Sequence, residues 1–240
     1  MQLADLSWEQ CAEYLAHDNR VILPIGATEQ HGRHLGVGAD YLIAQEIAQR
    51  IGAQTNILVA PTLNYGMSHQ HLDFAGTLSL SPTTLSAVLQ DIFQSLYRHG
   101  FRRVLVVNGH GGNQPALQSA STILQNQFPD LRVKLFQWWL ESEITRMVDE
   151  TLGAQQGTHA SSHETALMWA IAPHAVHTER IAKRDAPVNL SREMDSPTRF
   201  REKYPDGVMG LDPSRADAKL GQMILEKAVL LGISEMENWL

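Results

Sequence analysis

The run Val21-Ile22-Leu23-Pro24-Ile25 is apolar throughout, stops at Gly26, and gives way to Thr28-Glu29-Gln30-His31-Gly32, with Asp40 nine residues past His31. An apolar run bounded by glycine reads as a strand buried on both faces, and residues 41–51 read as the helix that follows it. A glutamate, a histidine and an aspartate thus fall where a strand gives way to a helix. In α/β sheets ligands bind there, outside the carboxyl ends of the strands. Carboxylate and imidazole together are the ligand set of Zn²⁺, Mn²⁺ or Fe²⁺.

The same pattern recurs along the chain. Residues 56–61 read as a second buried strand leading into the polar loop Asn64-Tyr65-Gly66-Met67-Ser68-His69-Gln70-His71. Residues 77–82 read as a short alternating strand ending at a helix cap. Leu85, Val88, Leu89, Ile92 and Leu96 recur at helical spacing, and Gly100 closes that helix. Arg102-Arg103-Val104-Leu105-Val106-Val107, the strongest strand signal, runs into Asn108-Gly109-His110-Gly111-Gly112-Asn113 and a helix to about Gln127. Residues 131–136 form the next strand. Further helices are expected from about residue 6 to 15, around Ser162-His163-Glu164-Thr165, and over 216–231. Residues 186–213, proline-rich and weakly periodic, read as a long surface loop or lid. Strands alternating with helices predict an α/β three-layer sandwich, a mostly parallel sheet covered by helices on both faces. With no repeat or linker, residues 1–240 are expected to form one domain.

Composition narrows the function classes. Of 240 residues, 43% are hydrophobic and 19% charged, an ordinary globular balance. A net charge of -7 without a basic run argues against nucleic acid as a partner. The single cysteine, Cys11, excludes an intrachain disulfide and a cysteine-rich zinc site, and is expected to be a small buried side chain. The first residues lack the pattern of a secretory signal, and no apolar run is long enough for a membrane span, so a cytoplasmic protein without membrane partners is expected.

The candidate site residues each have an ordinary alternative. The glycines around His110 suit a tight strand-to-helix turn that leaves the imidazole exposed, or an anion cradle at a helix N-terminus, although the Gly-Lys-Ser/Thr ending of a nucleotide loop is absent. Glu29 and His31, two apart in an extended segment, point the same way. Asp40 could serve as a helix N-cap, and Glu164 could complement a helix dipole. Three post-strand loops each carrying metal-type ligands are harder to account for separately. His163 is expected beside the site or at the surface, and His34, His69 and His71 as solvated loop histidines.

The stretches Leu23-Pro24-Ile25-Gly26-Ala27-Thr28-Glu29-Gln30-His31-Gly32, Asp40, Phe74-Ala75-Gly76-Thr77-Leu78-Ser79-Leu80, Asn108-Gly109-His110-Gly111-Gly112-Asn113 and His159-Ala160-Ser161-Ser162-His163-Glu164-Thr165 resemble, in order, the creatininase (creatinine amidohydrolase) family. The resemblance covers roughly residues 5–175 and implies a metal-dependent hydrolase of non-peptide, often cyclic, amide C–N bonds. It implies two divalent ions, zinc first with manganese or iron as alternatives. Glu29 and His110 would hold one, His31 the other, with Asp40 bridging. His159 would be the catalytic histidine, and Trp139 and Gly111 would face the substrate. Creatininase has a glutamate where this chain has Gly112, so Glu164 is expected to supply that carboxylate. Creatininase also encloses creatinine with a second tryptophan, but the position near Gln155 is not aromatic here, which points away from creatinine. Related members open formamide-type intermediates or trim a peptide in cofactor biosynthesis. Homo-oligomers, hexamers above all, are expected with the family.

The implied chemistry is attack by a metal-activated water on an amide carbon, with His159 delivering a proton to the leaving nitrogen. Two readings from other classes stand beside it: a small-ligand-binding member that retains the fold without catalysis, and a phosphate-handling enzyme built on the glycine-rich turn.

Overall fold

The computed structural model describes residues 1–153, 159–183, 195–210 and 212–239. Four strands, β1 (Arg20–Ile25), β2 (Leu58–Val59), β3 (Arg103–Asn108) and β4 (Arg132–Phe136), form one parallel sheet in the order β2-β1-β3-β4. Eight α-helices accompany them among the described residues: α1 (Trp8–Leu15), α2 (Ala39–Thr55), α3 (Pro82–His99), α4 (Gln114–Gln127), α5 (Ser142–Leu152), α6 (Ser162–Ile171), α7 (Pro197–Lys203) and α8 (Ala218–Glu237).

The central strands are apolar at consecutive positions because both sheet faces are covered. Val21, Leu23, Ile25, Val104 and Val106 turn to a core shared with α3 and α4, against which Tyr14 and Leu15 of α1 also pack. Ile22, Leu105 and Val107 turn to the opposite core, built with α2, α5, α6 and α8. This is the three-layer sandwich expected from the sequence.

Local signals set several boundaries. Ser7 and Gln10 form a reciprocal capping box at α1, and Ser81 with Pro82 opens α3, which Gly100 closes. Other expectations need correction. The predicted strand at 56–61 contributes only Leu58 and Val59, because at the sheet edge one neighbouring strand pairs with it. Residues 77–82 form no strand: Leu78 and Ser79 make single bridges to loop residues Thr28 and Gly66. Cys11 is half-buried rather than buried. The predicted loop over 186–213 is structured in part. Residues 184–194 and 211 lie outside the described residues, but α7 follows, with Phe200 fully buried. Among the described residues no helix is long and apolar enough to cross a membrane.

Candidate metal centre

The carboxyl ends of β1 and β3 deliver the first candidates. Beyond β1, the Glu29 amide donates to the Val37 carbonyl at 2.9 Å, folding the segment back so that the first turn of α2 lies over His31. Asp40 sits in that turn, but Gly38 occupies the N-cap and makes no side-chain cap. The Asp40 carboxylate instead faces inward, Oδ1 2.9 Å from His31 Nε2 and Oδ2 3.0 Å from His110 Nδ1. Capping is therefore not its role.

Two asparagines shape the turn after β3. Asn108 accepts from the His110 amide at 3.1 Å and donates to the His110 carbonyl at 2.8 Å. Asn113 donates to the Gly26 carbonyl at 2.9 Å and accepts from the Met67 amide at 3.0 Å, tying both neighbouring loops to this one. Gly109 is required by close approach, since a Cβ there would meet the Asp40 carbonyl oxygen. His110 is consequently buried, not exposed as the glycines alone suggested.

Around these residues the ligand atoms converge. Glu29 Oε1 lies 3.4 Å from His110 Nδ1, 3.4 Å from His159 Nδ1 and 3.6 Å from His71 Nε2. Glu164, in the first turn of α6, brings Oε1 to 4.0 Å from His31 Nε2. Three groups each have ligand atoms within 4.8 Å of one another: Glu29, Asp40 and His110; His31, Asp40 and Glu164; and Glu29, His31 and His159. Every one of these side chains is buried.

Whether a cation suits the cluster can be judged from its polar atoms. Among the described residues, both Glu29 carboxylate oxygens and Glu164 Oε2 are buried without a hydrogen-bond partner. Each such atom costs about 1–3 kcal/mol, and cations held by these ligand groups would satisfy them. The outer imidazole nitrogens are arranged to match. His31 Nδ1 lies 3.2 Å from the Glu29 carbonyl oxygen, and His110 Nε2 lies 2.9 Å from that of Met67. A carbonyl can only accept, so the outer nitrogens carry protons, which leaves the inner ones free to present lone pairs to a cation that displaces their protons, as at metal-ligating histidines.

The charges tell the same story. Burial pushes Glu29 and Glu164 up to about 7, against the pull of the nearby imidazoles. Burial disfavours charge on His31 and His110, but Asp40, Glu29 and, for His31, Glu164 raise them to about 10 and about 9. Burial likewise opposes ionisation of Asp40, yet His31 and His110 hold it well below the usual carboxylate range. His71, chiefly through burial, falls to about 3, and His159 falls well below the usual imidazole value. Three carboxylates concentrated out of solvent need positive charge, and a bound divalent ion would replace protons in supplying it.

All six residues predicted as metal or catalytic groups meet in this one place. Trp139 and Gly111 line the same cavity of about 250 Å³, together with Gln70, His71 and Met209. Two sequence expectations are overturned, and a third is narrowed to a place away from the surface. His71 and His34 are buried rather than solvated, and His163 is buried, its ring 5.5 Å from that of Trp138 with Ser161 Oγ 2.7 Å from Nδ1. Sequence reading missed His71 and Gln30 as site residues; for Gln30 the signal was its position between two candidate ligands. Gln155, near which creatininase has its second tryptophan, lies outside the described residues. A larger apolar cleft of about 1020 Å³ opens elsewhere, lined by Trp8, Cys11 and Ile92 among others, but no ligand-type cluster converges there.

A parallel sheet with buried carboxylates and imidazoles gathered at the carboxyl ends of its strands is the architecture of a metal-dependent hydrolase. The particular family follows from comparison with known proteins. The profile described as creatinine amidohydrolase matches residues 4–232, and the chain belongs to the creatininase family, whose members are metal-dependent hydrolases of non-peptide carbon–nitrogen bonds. Creatinine amidohydrolase of Pseudomonas putida is 29% identical, the match covering 95% of this chain and 92% of that protein. The mycofactocin precursor peptide peptidase of Mycobacterium ulcerans is 31% identical over 91% of this chain and 85% of its own length. Among solved structures, a type II creatininase variant superposes with a TM-score of 0.89 at 26% identity, covering 99% of this chain and 98% of that one. A creatininase described as its Mn form superposes at 0.87 with 26% identity, covering 98% of this chain and 96% of that one.

Proposed function

We propose that this protein is an amidohydrolase that cleaves a small, non-peptide amide or formamide C–N bond at a two-metal centre. The observation that carries the reading is the pair of buried ligand groups sharing Asp40, one with Glu29 and His110, the other with His31 and Glu164. Glu164 takes the role that a glutamate at position 112 fills in creatininase. Divalent ions held there would lower the pKa of a water and polarise the scissile carbonyl. Zinc is the first choice, with manganese or iron as alternatives; solved creatininases described as Mn and Zn–Zn forms support divalent metal.

The protein's own groups do the rest. The cavity of about 250 Å³ fits a small substrate, which Trp139 and Gly111 would contact. His159 holds Nδ1 3.4 Å from Glu29 Oε1, where it can take up a proton and return it to the leaving nitrogen. A homo-oligomer, the hexamer first, completes this reading, as the family resemblance implies.

A second reading, peptide trimming in cofactor biosynthesis, is favoured by the relatives named as mycofactocin precursor peptide peptidases. The deciding experiment is metal stoichiometry per chain on protein purified without chelator. It is run beside a chelation-sensitive hydrolysis screen of cyclic amides, formamides and short peptides. Two equivalents with turnover of a small amide is the expected result; turnover of peptides alone would favour the second reading. One equivalent would reduce the centre to a mononuclear one. No metal, and no loss of stability on chelation, would overturn both hydrolase readings.

A further inference from the structure

Gln30 lies between two of the candidate ligands and carries a hydrogen-bond set of its own. Its side chain is buried, with Oε1 accepting from the Gly32 amide at 2.9 Å and Nε2 donating to the Gly207 carbonyl at 3.0 Å. A backbone N–H requires an oxygen and a carbonyl requires a donor, so these two bonds fix which end of the amide is which. One amide hydrogen remains. Two imidazole nitrogens lie 2.9 Å from Nε2: Nδ1 of His71 and Nε2 of His159.

The main chain of the same residue decides between them. The Gln30 carbonyl oxygen is 2.8 Å from His159 Nε2, and that contact is favourable only if Nε2 carries the proton. A protonated Nε2 cannot also accept from the amide, so the remaining hydrogen goes to His71 Nδ1. His71 then carries its own proton on Nε2. The contact of His71 Nε2 with Gln70 Nε2 at 3.3 Å is met by turning the Gln70 amide to present oxygen, which no other side-chain hydrogen bond of Gln70 opposes among the described residues.

We propose that Gln30 is a positioning residue that fixes two neighbouring histidines in the same tautomer but with opposite faces toward Glu29. His159 presents a bare Nδ1, and His71 presents an N–H at Nε2. The rings are 4.5 Å apart, so the cavity receives an acceptor and a neutral donor side by side. His71 can then donate to a substrate oxygen while His159 receives a proton, and neither need change its charge beforehand. Gln30 acts through these two rings rather than on the substrate. The inference deepens the amidohydrolase reading and rests on it for its chemical meaning, but the tautomers are measurable without a substrate.

The test is two-bond ¹H–¹⁵N correlation spectroscopy of the imidazoles in histidine-labelled, zinc-loaded protein, with metal content determined on the same sample. His71 and His159 are assigned by the signals lost in His71→Gln and His159→Gln. The expected wild-type result is an Nε2–H tautomer for both. In Gln30→Met, His71 Nδ1 should shift from the bare-nitrogen position toward an averaged one, while His159, still held by the main-chain carbonyl, stays put. In Gln30→Glu, a carboxylate facing His71 should move the proton to Nδ1. An Nδ1–H tautomer of either histidine in the wild type would overturn the proposal, and that spectrum decides even if a variant fails to fold. So would a His71 signal unchanged in both Gln30 variants. Failure to take up zinc would count against the amidohydrolase reading, while the same spectrum still reads the tautomers.

Discussion

The Met67 carbonyl oxygen lies 2.9 Å from His110 Nε2, and Asn113 holds Met67 there through the Met67 amide at 3.0 Å. A side chain outside the ligand set thus orients a candidate ligand through another residue's backbone. Asn113→Ala removes this bond and the one to the Gly26 carbonyl, leaving buried groups unpaired. The expected outcome is a stability loss of about 1–3 kcal/mol per orphaned group and metal affinity lowered about 10–100-fold. Urea unfolding and competition with a fluorescent chelator measure the two separately. Unchanged affinity with lowered stability would confine Asn113 to a packing role.

The ligand groups separate metal retention from turnover. Glu29 and His110 share one group with Asp40, so Glu29→Gln and His110→Ala should each lose bound metal together with activity. His159 also reaches a ligand group, with Glu29 and His31, but its proposed work is on protons. His159→Ala should keep its metal content and lose about 10²–10⁴-fold in rate, the usual contribution of a positioned acid or base. Plasma-emission metal content beside rate measurements checks this. A His159→Ala protein without metal would make His159 a ligand rather than a proton carrier.

The glycines of the His110 turn differ in what they permit. A Cβ at Gly112 would collide with the Met67 carbonyl oxygen and His110 Nε2, whereas a Cβ at Gly111 meets nothing within 4 Å. This turn therefore has no room for the glutamate that creatininase carries at position 112, which agrees with Glu164 approaching from α6 instead. Gly112→Ala should destabilise by about 1–3 kcal/mol, the usual cost of overpacking, and displace His110. Gly111→Ala should stay within about 0.5 kcal/mol of the parent. Equal melting curves for the two variants would show that the crowding at Gly112 relaxes without cost.

These contrasts mark what was legible in the sequence. The strands through Val21–Ile25 and Val104–Val107 were readable because helices cover both sheet faces, and uninterrupted apolar runs follow from that. Glu29, His31, Asp40 and His110 were readable because strand ends are where such a sheet binds ligands. Glu164 and His159 needed the family resemblance, since nothing local brings the start of α6 to the end of β1. His71 lies in a short 3-10 turn, Leu78 in a loop bridge, and neither carries a period. Helix α5 carries its own signal, since Ile144, Val148 and Leu152 recur every four residues and are all buried. Helix α7 had its own signal in Ser196-Pro197, a cap followed by a first-turn proline.

Tyr14 links α1 to two strands and gives stability a pH dependence at alkaline pH. Its hydroxyl donates to the Arg20 carbonyl at 2.8 Å and accepts from the Leu58 amide at 3.4 Å. Burial, foremost, raises its pKa from 10.0 to about 12. Between those values the unfolded chain loses the phenol proton while the folded chain keeps it, so folding becomes less favourable as pH rises. The contribution is complete below pH 10 and is lost as pH passes through about 12. Tyr14→Phe cannot ionise there. At neutral pH it should be less stable by about 0.5–1.5 kcal/mol for the missing hydrogen bond. Because the parent alone loses stability by this route, the gap between the two proteins should narrow above pH 10. Urea unfolding of both proteins across that range tests it. A gap that stays constant to pH 12 would mean that the Tyr14 hydroxyl titrates equally in the folded and unfolded chains.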